Sequence, residues 1–143
     1  MTGQPTDDEL TALRLALLRV ARRLRQEHAG GLTPSQLSAL ATIERSGPLS
    51  LRALAELERV QPPSITRIGG ALEGEGWVER VAGDADRRVA VVRATDKARN
   101  ELERIRQERN AWLAGRLATL TVSDRNAVMR AVPAIEKLLE EQP

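Results

Sequence analysis

The chain has 143 residues, a formal net charge of +2 and 41% apolar residues, and its only aromatics are Trp77 and Trp112. That length suits one domain, and a core of Leu, Val, Ile and Ala favours helix packed on helix over a sandwich. The absence of cysteine excludes disulfides and thiol chemistry, and with no run of about 18 apolar residues and a polar, acidic start, the expectation is a cytoplasmic protein without membrane span or signal peptide.

Residues 1–6 are small and polar, without periodicity. From Asp7 to about His28, Leu10, Leu13, Leu17, Val20 and Leu24 recur at three- and four-residue steps, and Leu15 and Leu18 widen the stripe. A helix apolar over more than one face is either deeply buried or shared with a partner chain. Gly30-Gly31 ends it. Thr33-Pro34-Ser35-Gln36 opens a second helix: Thr33 can cap, Pro34 suits the first position and Gln36 can close a capping box. Leu37, Leu40, Ala41 and Ile43 form its buried face, and Gly47-Pro48 stops it.

Ser50 caps a short helix from Leu51 to about Arg59, with Leu54, Ala55 and Leu57 inward. Gln61-Pro62-Pro63-Ser64 opens another, running to about Glu75 and burying Ile65, Ile68 and Leu72, with Gly76 as a left-handed stop. Trp77–Val81 and Arg88–Ala94 are β-rich, and the turn composition between them predicts a hairpin. A long helix follows from Asp96 to about Ala118, with Leu102, Ile105, Trp112, Leu113 and Leu117 as its apolar residues. Thr121 or Ser123 caps a last helix, Asp124 to about Glu140, which buries Val128, Val132, Ile135, Leu138 and Leu139 and should kink or break at Pro133.

Helix, corner, helix and ribbon, in that order, is how a winged helix-turn-helix offers one helix to the major groove and a loop to the minor groove. If Ile65, Ile68 and Leu72 are buried, then Pro63, Ser64, Thr66, Arg67 and Gly70 face outward. Arg can bridge two acceptors of guanine, and Ser and Thr contact bases or phosphates. The helix N-terminus also attracts phosphate through free N–H groups and its dipole. Asp86-Arg87-Arg88 at the hairpin tip projects two guanidiniums, suited to the negative potential of a narrow minor groove. Between Ser50 and Arg99 there are nine basic and eight acidic residues, so placement rather than net charge makes the nucleic-acid case.

Residues from about 32 to 99 resemble the MarR family of bacterial transcription regulators. "LTPSQLSALATIERSGPLSLRALAELERVQPPSITRIGGALEGEGWVER" is similar to the family's scaffold helices, recognition helix and first ribbon strand. "DADRRVAVVRATDKAR" is similar to its wing, where Asp-x-Arg precedes a strand ending in Leu-Thr. The resemblance implies a mainly α fold with a small β-hairpin wing in one domain over 1–143. A winged helix-turn-helix lobe at 33–95 would lie between dimerisation helices at 7–29 and 96–143.

It further implies a homodimer on a pseudo-palindromic operator in double-stranded DNA, repressing until a small molecule releases it. Gln61, Pro63, Ser64, Thr66 and Arg67 would face the major groove, with Arg88 in the minor groove, Asp86 as its buttress and Arg87 on phosphate. A pocket between the lobe and the dimer helices would take a small lipophilic or aromatic anion. Leu17, Leu24, Ile43 and Trp112 are candidates for lining it, although core packing is the more frequent use of such residues.

Three positions depart from the family pattern. Arg59 stands where glycine is usual at the helix corner, Ala94 replaces the Leu of Leu-Thr, and Ala98 replaces a Gly. Gly69 and Gly70 lie inside the recognition helix, either loosening it or letting backbones pack closely, the second being preferred. No cofactor, metal site or membrane partner is expected: His28 is the only histidine, no Gly-Lys-Ser/Thr follows the glycines, and no catalytic triad is evident, so enzyme activity is not expected. Two rivals stay open: the same fold without ligand sensing, or a winged-helix interaction module that does not bind DNA.

Overall fold

A computed structural model describes residues 3–27, 30–82, 89 and 91–140. The elements are α1 (Asp7–Gln26), α2 (Pro34–Ser46), β1 (Leu49–Ser50), α3 (Leu51–Glu58), α4 (Pro62–Gly74), β2 (Val78–Val81), β3 (Val91–Ala94), α5 (Asp96–Ala118) and α6 (Val122–Lys137). The architecture is the expected mainly α winged helix.

Local chemistry sets most boundaries. At α2, the Gln36 amide donates to Thr33 Oγ1 (3.2 Å) while the Thr33 amide donates to Gln36 Oε1 (3.0 Å), the reciprocal pair foreseen. Ser50 Oγ accepts from the Ala53 amide at 3.1 Å and starts α3. Gly76 has φ +78°, the left-handed turn that lets the chain leave α4 for β2. Thr121, not Ser123, caps α6.

Three antiparallel strands stand in the order β1-β3-β2 where the sequence predicts two. β1 is only Leu49–Ser50, paired with Val92 and Val91. It exists because β3 offers an open edge, which no local pattern in residues 49–50 announces. Leu40, Ile43, Leu54, Ile65 and Leu72 are the largest fully buried side chains, each contributing about 1.5–3 kcal/mol by leaving water. They form one core with Trp77, Val78, Val92, Ala94 and Ala98.

Several expectations on side-chain direction are corrected. Leu57 is 58% exposed, not inward, because Glu58 is the i+4 neighbour of Leu54 and turns toward α2. Pro133 does not break α6. The carbonyl it deprives belongs to Met129, on an exposed part of the helix where water can serve it. Val128, Val132, Leu138 and Leu139 are exposed within this chain, and only Ile135 is half-buried.

α1 packs along α5, and neither α1 nor α6 has a buried residue. Among the described residues, all the exposed large apolar side chains except Leu57 and Val89 lie on α1 or from Leu120 onward.

A Cβ on Gly69 would come within 2.9 Å of Leu51 Cδ2, so this glycine lets α4 approach the start of α3. Gly70 faces open space. Gly70→Ala should therefore stabilise the fold by about 0.5–1 kcal/mol, whereas Gly69→Val should destabilise it by about 1–3 kcal/mol. Urea unfolding of the two variants side by side reads the opposite signs.

Candidate nucleic-acid interface

The helix corner is built from α3 outward. Glu58 at the end of α3 accepts from Ser38 Oγ (2.6 Å) and Thr42 Oγ1 (2.5 Å), and both donors belong to α2. Thr42 is the one buried polar residue among the described residues, so its hydroxyl needs this partner. The chain then turns at Arg59, which adopts the left-handed conformation (φ 54°, ψ 44°). That conformation costs a non-glycine residue about 1–2 kcal/mol. Here the corner keeps its shape without the usual glycine. The Val60 amide donates back to the Ala55 carbonyl at 3.0 Å and closes the turn.

α4 starts at Pro62 with Gln61 as its N-cap, and no side chain caps it. Two features remove the free N–H groups that the sequence reading expects there. Pro62 and Pro63 have none, and the amides of Ser64 and Ile65 both donate to the Gln61 carbonyl, at 3.0 and 3.1 Å. The helix dipole remains, but residues 62–65 offer no spare amide to a phosphate. Charge at this end must come from side chains.

Pro63, Thr66, Arg67 and Gly70 are exposed along one side of α4, Gln61 is exposed at its N-cap, and Ser64 is half-buried. The Thr66 hydroxyl donates to the Pro62 carbonyl (2.9 Å), leaving its oxygen as an acceptor toward solvent. The opposite side carries Ile65, Gly69 and Leu72, all buried, with Ile68 half-buried. Asp86, Arg87 and Arg88 lie outside the described residues. The root of the wing is described: Glu79 and Arg93 are directly opposite in the sheet and ion-paired at 2.6 Å, and Arg80 bridges from β2 to Glu73 on α4 at 3.0 Å.

The far end of α4 is fastened to α5. Lys97 Nζ donates to the Glu75 carbonyl (2.6 Å) and lies 4.1 Å from the centre of the Trp77 ring, whose Nε1 donates to Glu75 Oε2 (3.0 Å). Thr95 Oγ1 donates to the Gly76 carbonyl at 2.8 Å. Sequence reasoning missed Lys97, Glu58 and Thr42, whose partners lie 16 to 22 residues away. The only signal was a Trp just after a left-handed glycine, with a Lys opening the next helix.

This geometry is a two-helix corner with one buried and one polar exposed side, braced to a three-stranded wing. A model of the MarR family matches residues 32–90. An uncharacterised HTH-type transcriptional regulator of Mycobacterium bovis is 37% identical over 132 residues, covering 92% of both chains. The chain belongs to the MarR family. The transcriptional repressor MdtR of Bacillus subtilis is 28% identical over 80% of this chain and 77% of its own. A MarR family protein of Bacillus stearothermophilus has the same fold, with a TM-score of 0.80 over 99% of this chain and 100% of its own at 22% identity. This MarR-family chain is thus a winged helix-turn-helix transcriptional regulator. Among the described residues, no helix is long and apolar enough to cross a membrane.

Beside the lobe of this MarR-family regulator lies a cavity of about 270 Å³ between the end of α1, the start of α2 and the middle of α5, lined by Arg25, Leu32, Leu37, Ala41 and Arg109 among others. It has two guanidiniums and no carboxylate. Arg109 Nε and Trp112 Nε1 are buried donors without a hydrogen-bond acceptor among the described residues. Of the four lining candidates, Ile43 is 1% exposed within the lobe core. Leu17 lies on the open face of α1. Leu24 is half-buried, and the Trp112 ring lies 5.7 and 5.6 Å from the guanidiniums of Arg23 and Arg116. None of the four lines this cavity.

Lys97→Met keeps the alkyl stem but removes the donor and the cation over Trp77. It should cost about 1 kcal/mol and speed hydrogen exchange at the amides of residues 75–77. Thermal unfolding and native-state exchange measure both.

Proposed function

We propose that the chain is a homodimeric, sequence-specific DNA-binding repressor that a small molecule releases from its operator. The observation that carries this reading is α4, with Ile65, Gly69 and Leu72 buried and Gln61, Pro63, Thr66 and Arg67 in solvent. On this reading these four, with Ser64, meet the major groove, Arg88 enters the minor groove with Asp86 as its buttress, and Arg87 meets phosphate. The repressor name of MdtR supports repression as the mode. The named relatives are bacterial, so a regulator acting on DNA works in the cytoplasm.

Dimerisation is supported by the exposed apolar side chains of α1 and of residues 120–139, which range from Leu120 at 36% to Leu139 at 84%. A soluble monomer rarely leaves so extended a patch in water. A second copy covers it on this reading, with residues 7–29 and 96–143 serving the interface. Two α4 helices then enter successive major grooves, and the half-sites of a pseudo-palindrome lie about one helical turn apart.

Anisotropy on duplex from the protein's own promoter region, against scrambled duplex across a salt series, tests the reading. Tight, sequence-dependent binding that falls steeply with salt is expected. Arg88→Ala should weaken binding to both duplexes and flatten the salt dependence, while Arg67→Ala should blur the preference between them by about 1–3 kcal/mol. Leu13→Glu should shift sedimentation from dimer to monomer and abolish tight binding. Equal, weak binding of the wild type to both duplexes would sink the DNA-binding role.

The effector reading rests on the Arg25–Arg109 cavity, whose apolar walls and two cations suit a small lipophilic or aromatic anion. Such a ligand must bind the DNA-free arrangement more tightly to shift the equilibrium. Titrating benzoate-class anions into the operator complex should lower its affinity, and Arg109→Ala should blunt the response. Operator affinity unchanged at saturation would favour a regulator that senses nothing.

A further inference from the structure

We propose that a second cavity, on the inward side of α4, binds a small zwitterion with an apolar side chain, of the class of the free apolar amino acids. Its ammonium group meets Glu58 and its carboxylate meets Arg25. The proposal goes beyond the anion cavity described above and does not depend on the DNA-binding reading.

This cavity, about 460 Å³, lies between the end of α1, the start of α2, the end of α3 and the first turns of α4. The volume falls within the range of small-molecule sites. Val60, Ile65 and Ile68 give it an apolar wall, and Arg25, Ser38 and Glu58 line its polar side. Ile65 and Ile68 belong to the buried side of α4, so an occupant here touches the seat of that helix.

Two opposite charges thus line one cavity without meeting. Among the described residues the Arg25 guanidinium makes no ion pair or hydrogen bond, and Glu58 makes no ion pair. Arg45 reaches the Thr42 hydroxyl at 3.3 Å, not the carboxylate. Glu58 is half-buried and is held by hydroxyls alone, Ser38 on Oε2 and Thr42 on Oε1. A carboxylate has about four acceptor sites, so each oxygen keeps one to offer. A counter-charge is still missing, and an ammonium supplies it through charge-assisted hydrogen bonds.

The ligand class follows from what the cavity disfavours. A simple anion suits Arg25 but is repelled by Glu58, and a simple cation meets the reverse. A neutral apolar molecule would desolvate both groups without pairing either. A molecule carrying both charges pairs each of them, and the aliphatic wall takes its side chain. Arg25, Pro34 and Ser38 line this cavity and the first one alike. The first adds Arg109 and has no carboxylate, whereas the second adds Glu58 and no further cation. The two therefore select ligands of different net charge.

Calorimetric titration and thermal unfolding of the full chain, without DNA, test this with L-leucine and L-phenylalanine. N-acetyl-leucine and leucinamide, each lacking one of the two charges, are the comparison. At about ten times the dissociation constant, a free amino acid should raise Tm by about 4 °C. Each derivative should bind at least about tenfold more weakly, and Glu58→Gln and Arg25→Gln should each weaken amino-acid binding by about tenfold. Should Glu58→Gln fail to fold, because Thr42 relies on that side chain, the exposed Arg25→Gln and the two derivatives carry the test.

No binding of either amino acid at millimolar concentration would overturn the proposal. Binding that N-acetyl-leucine matches, or that Arg109→Ala abolishes, would also overturn it. The ligand would then occupy the first cavity as an anion, and the effector reading would stand without the second site.

Discussion

The rotation of α4 about its own axis is set by Ile65, Gly69 and Leu72, which press against α2 and α3, and every outward-facing residue of the lobe takes its direction from that contact. At Gly69, α4 comes so close to Leu51 that an added Cβ has no ordinary room. A helix seated this way cannot turn by the 100° between neighbouring side chains without placing Thr66 or Arg67 in the core, where an unpaired polar group or charge costs several kcal/mol. The same apolar burial that stabilises the lobe therefore aims its polar face.

Both ends of the helix are then fixed by polar chemistry of different kinds. Before α4, the Glu58 carboxylate holds the end of α3 against α2 through two hydroxyls, so the corner at Arg59 starts from a rigid base. After α4, Lys97 and Trp77 join the last turn to the first turn of α5. The long helix that would carry the dimer contacts is thus tied directly to the end of the helix that would carry the DNA contacts. Lys97 and Trp77 make that link by direct side-chain contact, a cation over an indole face.

Much of this was legible in the sequence, and the reasons are local. Thr33 with Gln36, Ser50, Gly47 and Gly76 mark ends because their side chains or their lack of one act within four residues. The helix from Pro62 and its buried face follow from spacing alone. What escaped depends on partners distant in sequence. β1 is two residues long and is a strand only because Val91 and Val92 lie beside it. Leu57 and Glu58 compete for the same inward direction, and a pattern read as apolar favours the leucine, while the hydroxyls of Ser38 and Thr42 select the carboxylate. Ile43 reads as core first and cavity lining second until its neighbours are known, and it is core. The stripe of α6 reads as buried because an apolar pattern does not say whether its own chain covers it, and within this chain it is exposed. The free amides expected at the start of α4 could have been discounted from the two prolines.

Ser50 belongs to two elements at once. Its backbone closes the sheet against Val91 while its hydroxyl caps α3, so no connector separates the wing from the first helix of the corner. Insertions that surface loops absorb at small entropic cost have no place to go here. One extra residue after Ser50 would rotate α3 by a little over a quarter turn and strip the cap from its amide. The sheet at the root of the wing and the corner consequently share one mechanical frame, in which Ser50 sets the spacing between them.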